Sequence, residues 1–264
     1  MSLATIPNVL AIAIYLLGSA YLIAAYVRQR SPRPHLVTGL ALAAIVLHGA
    51  GAYQSVFEAS DFRFGVFILP TLFFWVINVL VLVSGLRKPL HSLFVFLFPL
   101  SVVAILSSQI SDSPVKPMEP ALVGHVILAL LAYGFLTIAT LQALLLAFQN
   151  YQLKHKHATG VVQLLPPLQT MESLMFQLLW TGEVALTILI VSGLLYTDDL
   201  LAQNQAHTLI FSVMAWLIYA VLLWGRHRLG WRGKTAIRWT LGGFMALVLA
   251  YFGTQLVYQV VLAS

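Results

Sequence analysis

Eight long apolar runs follow one another along this chain with little between them, at about residues 7–27, 36–56, 66–86, 90–109, 121–148, 176–197, 208–225 and 236–260. Roughly 20 apolar residues carry a helix across a bilayer, and each run reaches or approaches that length. Backbone groups in hydrocarbon must be bonded internally, and no alternating ten-residue barrel pattern occurs, so every run is expected to be helical. The connections leave no room for a soluble domain. Residues 1–264 therefore read as a single integral membrane domain, and a composition 60% hydrophobic and only 8% charged agrees with lipid as the main solvent. The first run lacks a basic leader and a convincing small-residue cleavage site, so it is expected to be retained as a helix rather than removed as a signal peptide.

Orientation follows from the cations, because lysine and arginine near an apolar run retard export. Arg28, Arg30, Arg33, Arg87, Lys88, Lys154, Lys156, Arg226, Arg228, Arg232, Lys234 and Arg238 fall in one set of alternate connections, leaving two of the fourteen cations, Arg63 and Lys116, in the other. The expected molecule is an all-α polytopic membrane protein, a bundle of eight transmembrane helices with both termini outside and the basic loops in the cytoplasm. A formal charge of +6 sits in these short connections, where orienting helices explains it, so nucleic acid is not an expected partner. Membrane lipid is. The absence of cysteine excludes disulfides, thiolate metal sites and thiol–disulfide exchange.

The longest connection, about Asn150 to Met175, contains Pro166 and Pro167. Leu168, Met171, Leu174, Met175, Leu178 and Leu179 then recur at helical spacing. Two readings fit: an interfacial segment leading into the sixth crossing, or a longer and tilted sixth helix. The proline-rich connection from Ser111 to Pro120 is expected to be extended.

Three of the eight histidines share a depth on the outer side. His48 lies two-thirds along the second, outward-running helix, while His125 and His207 open the fifth and seventh. Neutral imidazole is a good iron ligand, and an ionisable group at membrane depth is costly enough to point to function. The competing reading is a helix-end histidine that snorkels to the headgroups. No helix carries an HxxxH or HExxH spacing for zinc. No nucleophile–base pair is assignable either, so the chain is not expected to be an enzyme. Glu183, inside the sixth run, must find a partner or a proton there, or lie in the inner headgroup zone if that helix begins later. Gln54, Asn78 and Gln142 read as hydrogen-bond glue between helices, and Gly124, Leu128, Ala132 and Ala139, with Ala129 and Gly134, as small surfaces for close packing. Trp216, Tyr219 and Trp224 are candidates for the wall of a cofactor cavity, or for a membrane-interface belt.

The segment PALVGHVILALLAYG, the SG of ILIVSGLLY and the stretch AWLIYAVLLWGRHRLGWRGK resemble the haem-handling cytochrome c assembly family of CcsA and HemX type. The likeness is greatest to its small eight-helix inner-membrane branch of YpjD type and spans roughly residues 35 to 255. The resemblance implies a bacterial inner-membrane protein that binds or handles haem, of b-type, near the outer face. His125 matches the family's external histidine and His48 resembles its intramembrane one. His207, placed by depth rather than by motif, completes the expected ligand set, with His125 and His207 as the axial pair. The family's assembly factors also carry a tryptophan-rich external loop, the WWD signature, whereas TDDLLAQNQA before His207 has no tryptophan. Trp224 stands where the family has a histidine in the seventh crossing. These departures support a second expectation, a non-enzymatic accessory subunit with a degenerate haem site whose basic loops dock a membrane or cytoplasmic protein.

Overall fold

A computed structural model describes residues 5–58, 61–64, 68–86, 88, 90–110, 116–117, 120–155, 161–196 and 206–261. Among them the chain forms α1 (Thr5–Val27), α2 (Pro34–Val56), α3 (Ile68–Gly85), α4 (Phe94–Ile110), α5 (Pro120–Lys154), α6 (Val161–Leu164), α7 (Leu168–Tyr196), α8 (Ala206–Leu229) and α9 (Gly233–Val261). Seven of these, α1 to α5, α7 and α8, are long and apolar enough to cross a membrane. The eighth apolar run lies in the 29-residue α9.

The helix ends follow local chemistry. Pro34 and Pro120 open α2 and α5, where the missing N–H is no loss because the first turn has no acceptor for it. The end of α1 is closed by bonds from Arg30 N to Ala25 O at 2.9 Å and from Gln29 N to Tyr26 O at 3.0 Å. This is the Schellman pattern, and Gln29 occupies its left-handed position at φ 54°. Pro99 lies inside α4, a position that membrane helices tolerate when neighbouring groups satisfy the freed carbonyl.

The structure decides one alternative that the sequence left open and adds one feature that it did not announce. The interfacial alternative for residues 168–175 gives way to the longer helix, because α7 is continuous from Leu168 and its apolar positions run into the span without a break. The loops also hold three short strands, β1 (Phe57–Glu58), β2 (Asp61–Phe64) and β3 (Lys116–Pro117), antiparallel in the order β1-β2-β3. Strand pairing supplies partners that backbone groups lose when the chain leaves a helix. The extended expectation for 111–120 is met at Lys116–Pro117, while 111–115 and 118–119 lie outside the described residues.

The chain divides into two compact units. In the first, Met1–Val123 with Gln152–Pro166, α1 packs on α2 and α4, and α3 packs on the same two helices, closing a four-helix ring. Its centre holds Phe94 stacked on Phe98 at 4.8 Å, with Tyr15 5.2 Å from Phe98. In the second, Gly124–Tyr151 with Pro167–Ser264, α8 packs on α7 and α9. The close approach of α5 to α7 depends on Gly182, where a Cβ would stand 2.7 Å from the Leu136 side chain. Ala132 and Ala139 of the expected small surface are buried, but Gly124 is exposed with open space beside it.

Candidate functional site

In the first unit, α2 carries His48 into the ring of helices, where it is fully buried (0% exposed). Its Nδ1 and the Tyr15 hydroxyl share a hydrogen bond at 3.2 Å, and the two rings meet edge to face at 5.7 Å. Tyr15 is also bonded to Ser101, whose Oγ accepts from Asn78 Nδ2 at 2.7 Å and donates to Leu97 O at 2.7 Å. One polar string thus joins α2, α1, α4 and α3 through groups that are all buried. His48 Nε2 ends it with no partner among the described residues, as do Asn8 Oδ1 and Asn78 Oδ1. Asn8 lies against Gly51, one turn beyond His48 on α2. The sequence marked His48 and Asn78 singly; Tyr15 and Ser101 carry no motif and escaped notice.

In the second unit, His125 is the sixth residue of α5 and is half-buried. Its Nδ1 lies 2.9 Å from the hydroxyl of Ser192 on α7, and that hydroxyl donates to Leu189 O at 2.8 Å. The SG pair that figured in the family resemblance therefore sits against the histidine that figured with it: a Cβ at Gly193 would stand 3.3 Å from His125 Cε1.

His207, the second residue of α8, is exposed and makes no hydrogen bond or ring contact among the described residues. Between α5 and α8, Tyr133 bonds to Ser212 and Tyr219 lies near Thr140. Residues 197–205, the connection before His207, lie outside the described residues.

Glu183 lies midway along α7 rather than at its end, because the helix starts at Leu168. The residue is 6% exposed, and neither carboxyl oxygen has a hydrogen-bond partner among the described residues. Tyr219, which faces it from α8, is buried with its hydroxyl likewise unsatisfied. Gln142 reaches Met171 O at 3.5 Å, a weak form of the expected interhelical bond. Of the three aromatics considered for a haem wall, Trp224 is 58% exposed and Trp216 donates to Thr187 at 2.9 Å; only Tyr219 is buried.

The GWRGK stretch has a structural task. Gly230 and Gly233 adopt φ of 68° and 54° in the turn between α8 and α9, a region that other residues enter with strain. The Gly233 amide donates to Glu172 Oε1 at 3.0 Å, and Arg226 lies 3.7 Å from the same oxygen while donating to Trp231 O at 3.3 Å. Arg226 also covers the Phe176 ring at 4.6 Å, and Trp231 packs over Gly225 and beside Trp239. The turn is a latch holding α7, α8 and α9 together.

Over 142 residues the chain is 39% identical to the inner membrane protein YpjD of Escherichia coli (strain K12), a stretch that covers 54% of each chain. It is 30% identical over 140 residues, 52% of each, to an uncharacterized 28.8 kDa protein in the nifR3-like 5' region of Azospirillum brasilense. Protein HemX of Brevibacillus brevis is 22% identical over 159 residues, 58% of each. The chain thus spans about half the length of these relatives. No solved structure matches it. Residues 36–262 match the family described as Cytochrome C assembly protein, and the chain belongs to that family.

Proposed function

We propose that this chain is a haem-binding, haem-handling membrane protein related to cytochrome c biogenesis factors, in which histidines hold haem near the outer face of the bacterial inner membrane. Membership of the cytochrome C assembly family supports the haem-related role, and the relative named as an inner membrane protein supports the location. In this reading the chain crosses the membrane eight times with both termini outside.

The observation that carries the reading is the state of His125: one ring nitrogen is engaged by Ser192, and the other has no partner among the described residues. A histidine held by one nitrogen is arranged to offer the other to a metal. His125 therefore fits the requirement for an axial ligand, with His207, at the start of α8, proposed as the second. His48 is fully buried within the four-helix ring of the first unit, with Nε2 unpartnered among the described residues, and is given no part in this site. Bound haem would supply one-electron chemistry or be cargo; the chain's own residues bind and orient, and no catalytic role is proposed for them. The test is a reduced-minus-oxidised spectrum of the purified protein supplied with haem. A six-coordinate b-type spectrum is expected, and absence of a Soret band at every haem concentration overturns the proposal.

A second reading has an observation of its own: residues 197–206 contain no tryptophan, unlike the tryptophan-rich loop of the assembly factors. In it the chain is an accessory subunit with a degenerate haem site, and the exposed Arg228, Arg232, Lys234 and Arg238 dock a protein partner. Failure to bind haem, together with a crosslinked partner at that face, is its signature.

A further inference from the structure

We propose that Ser192 is a positioning residue that sets the tautomer of His125, and that Gly193 keeps the ring's metal-facing edge clear; the inference rests on the reading of His125 as an iron ligand. A hydroxyl has one hydrogen to give. Ser192 gives its hydrogen to the carbonyl of Leu189, on its own helix, at 2.8 Å. Only lone pairs remain to face His125 Nδ1 at 2.9 Å, so Nδ1 carries the hydrogen and donates it. A neutral imidazole protonated at Nδ1 has its lone pair on Nε2. Ser192 thereby selects the one tautomer able to ligate metal through Nε2, and it does so from a hydroxyl whose rotation is fixed by a helix carbonyl.

Gly193 acts on the same ring. A Cβ there would stand 3.3 Å from Cε1, the carbon bonded to both ring nitrogens. A side chain there would bring its Cβ tightly against the edge next to Nε2, so the ring would have to give by a few tenths of an ångström. Two successive residues of α7 thus divide the work, one choosing the nitrogen and the other leaving it room. This accounts for the SG pair and the histidine as one device, although 67 residues separate Ser192 from His125.

The test uses the full-length, haem-free protein in detergent with 15N-labelled histidine, comparing wild type with S192A, S192T and G193A. The His125 signal, assigned by its loss in H125A, is expected to show the Nδ1-protonated form in wild type and in S192T, which keeps a hydroxyl. S192A is expected to lose that preference. If S192A retains the Nδ1-protonated form, the positioning role of Ser192 is overturned. Haem titration of the same samples is expected to show binding about 10- to 100-fold weaker in S192A than in wild type, with S192T near wild type. G193A is expected to weaken haem binding as well; wild-type affinity in G193A overturns the part given to Gly193. If wild type shows the Nδ1-protonated form and S192A does not, but neither binds haem, the tautomer device stands and the haem reading alone fails.

Discussion

At the scale of single residues, the histidines divide by what holds them. His125 has a fixed ring, His48 is sealed among helices, and His207 is exposed. His125→Ala is expected to convert low-spin, six-coordinate haem to a high-spin or empty form, because an axial imidazole is the strong-field ligand lost. His155→Ala, just beyond the far end of α5, should leave the spectrum unchanged. Glu183 poses a different problem, since a buried carboxyl with both oxygens unpartnered costs about 1–3 kcal/mol. Glu183→Leu is therefore expected to raise the thermal midpoint in detergent; a lower midpoint would mean the carboxyl is engaged in the folded protein. The depths of the histidines were legible in the sequence because depth follows from position within an apolar run. Their partners were not. Tyr15 lies 33 residues from His48, and Ser192 lies 67 from His125, and a lone hydroxyl in an apolar run carries no periodic signal.

At the scale of elements, the membrane itself made most of the helices readable, since hydrocarbon leaves the backbone no other economical form and length is counted in residues. What escaped lay at the ends. The apolar and polar mixture from Leu168 fits a surface helix and a long spanning helix equally well, and continuity from Leu168 to Tyr196 decides for the second. The strands β1 to β3 are too short for alternation to register, and two of them come from a connection distant in sequence from the third. The end of α1 offers a test of local geometry. Gln29 holds a left-handed φ of 54° that glycine adopts without penalty. Gln29→Gly is expected to stabilise the protein by about 1 kcal/mol, read as a higher thermal midpoint; no change or a fall would show that the Gln29 side chain outweighs its backbone strain.

For the whole molecule, the proposed orientation rests on charge, and reversing it would carry twelve of fourteen cations across the membrane. Reporter fusions after Val56 and Pro120 are expected outside, and after Arg87 and Lys154 in the cytoplasm. A cytoplasmic signal at Pro120 would refute the eight-crossing arrangement. The latch at the α8–α9 turn bears on how such a chain is made. Glu172 leaves the ribosome 61 residues ahead of the Gly233 amide that it accepts. Arg226 and Trp231 also emerge only after most of α8. The contacts of Glu172 at the turn therefore cannot form while α7 is being synthesised, and its carboxylate waits until the start of α9 exists. Translation stopped within the turn would leave Glu172 and Arg226 without the Gly233 amide and the Trp231 carbonyl that they hold in the finished protein.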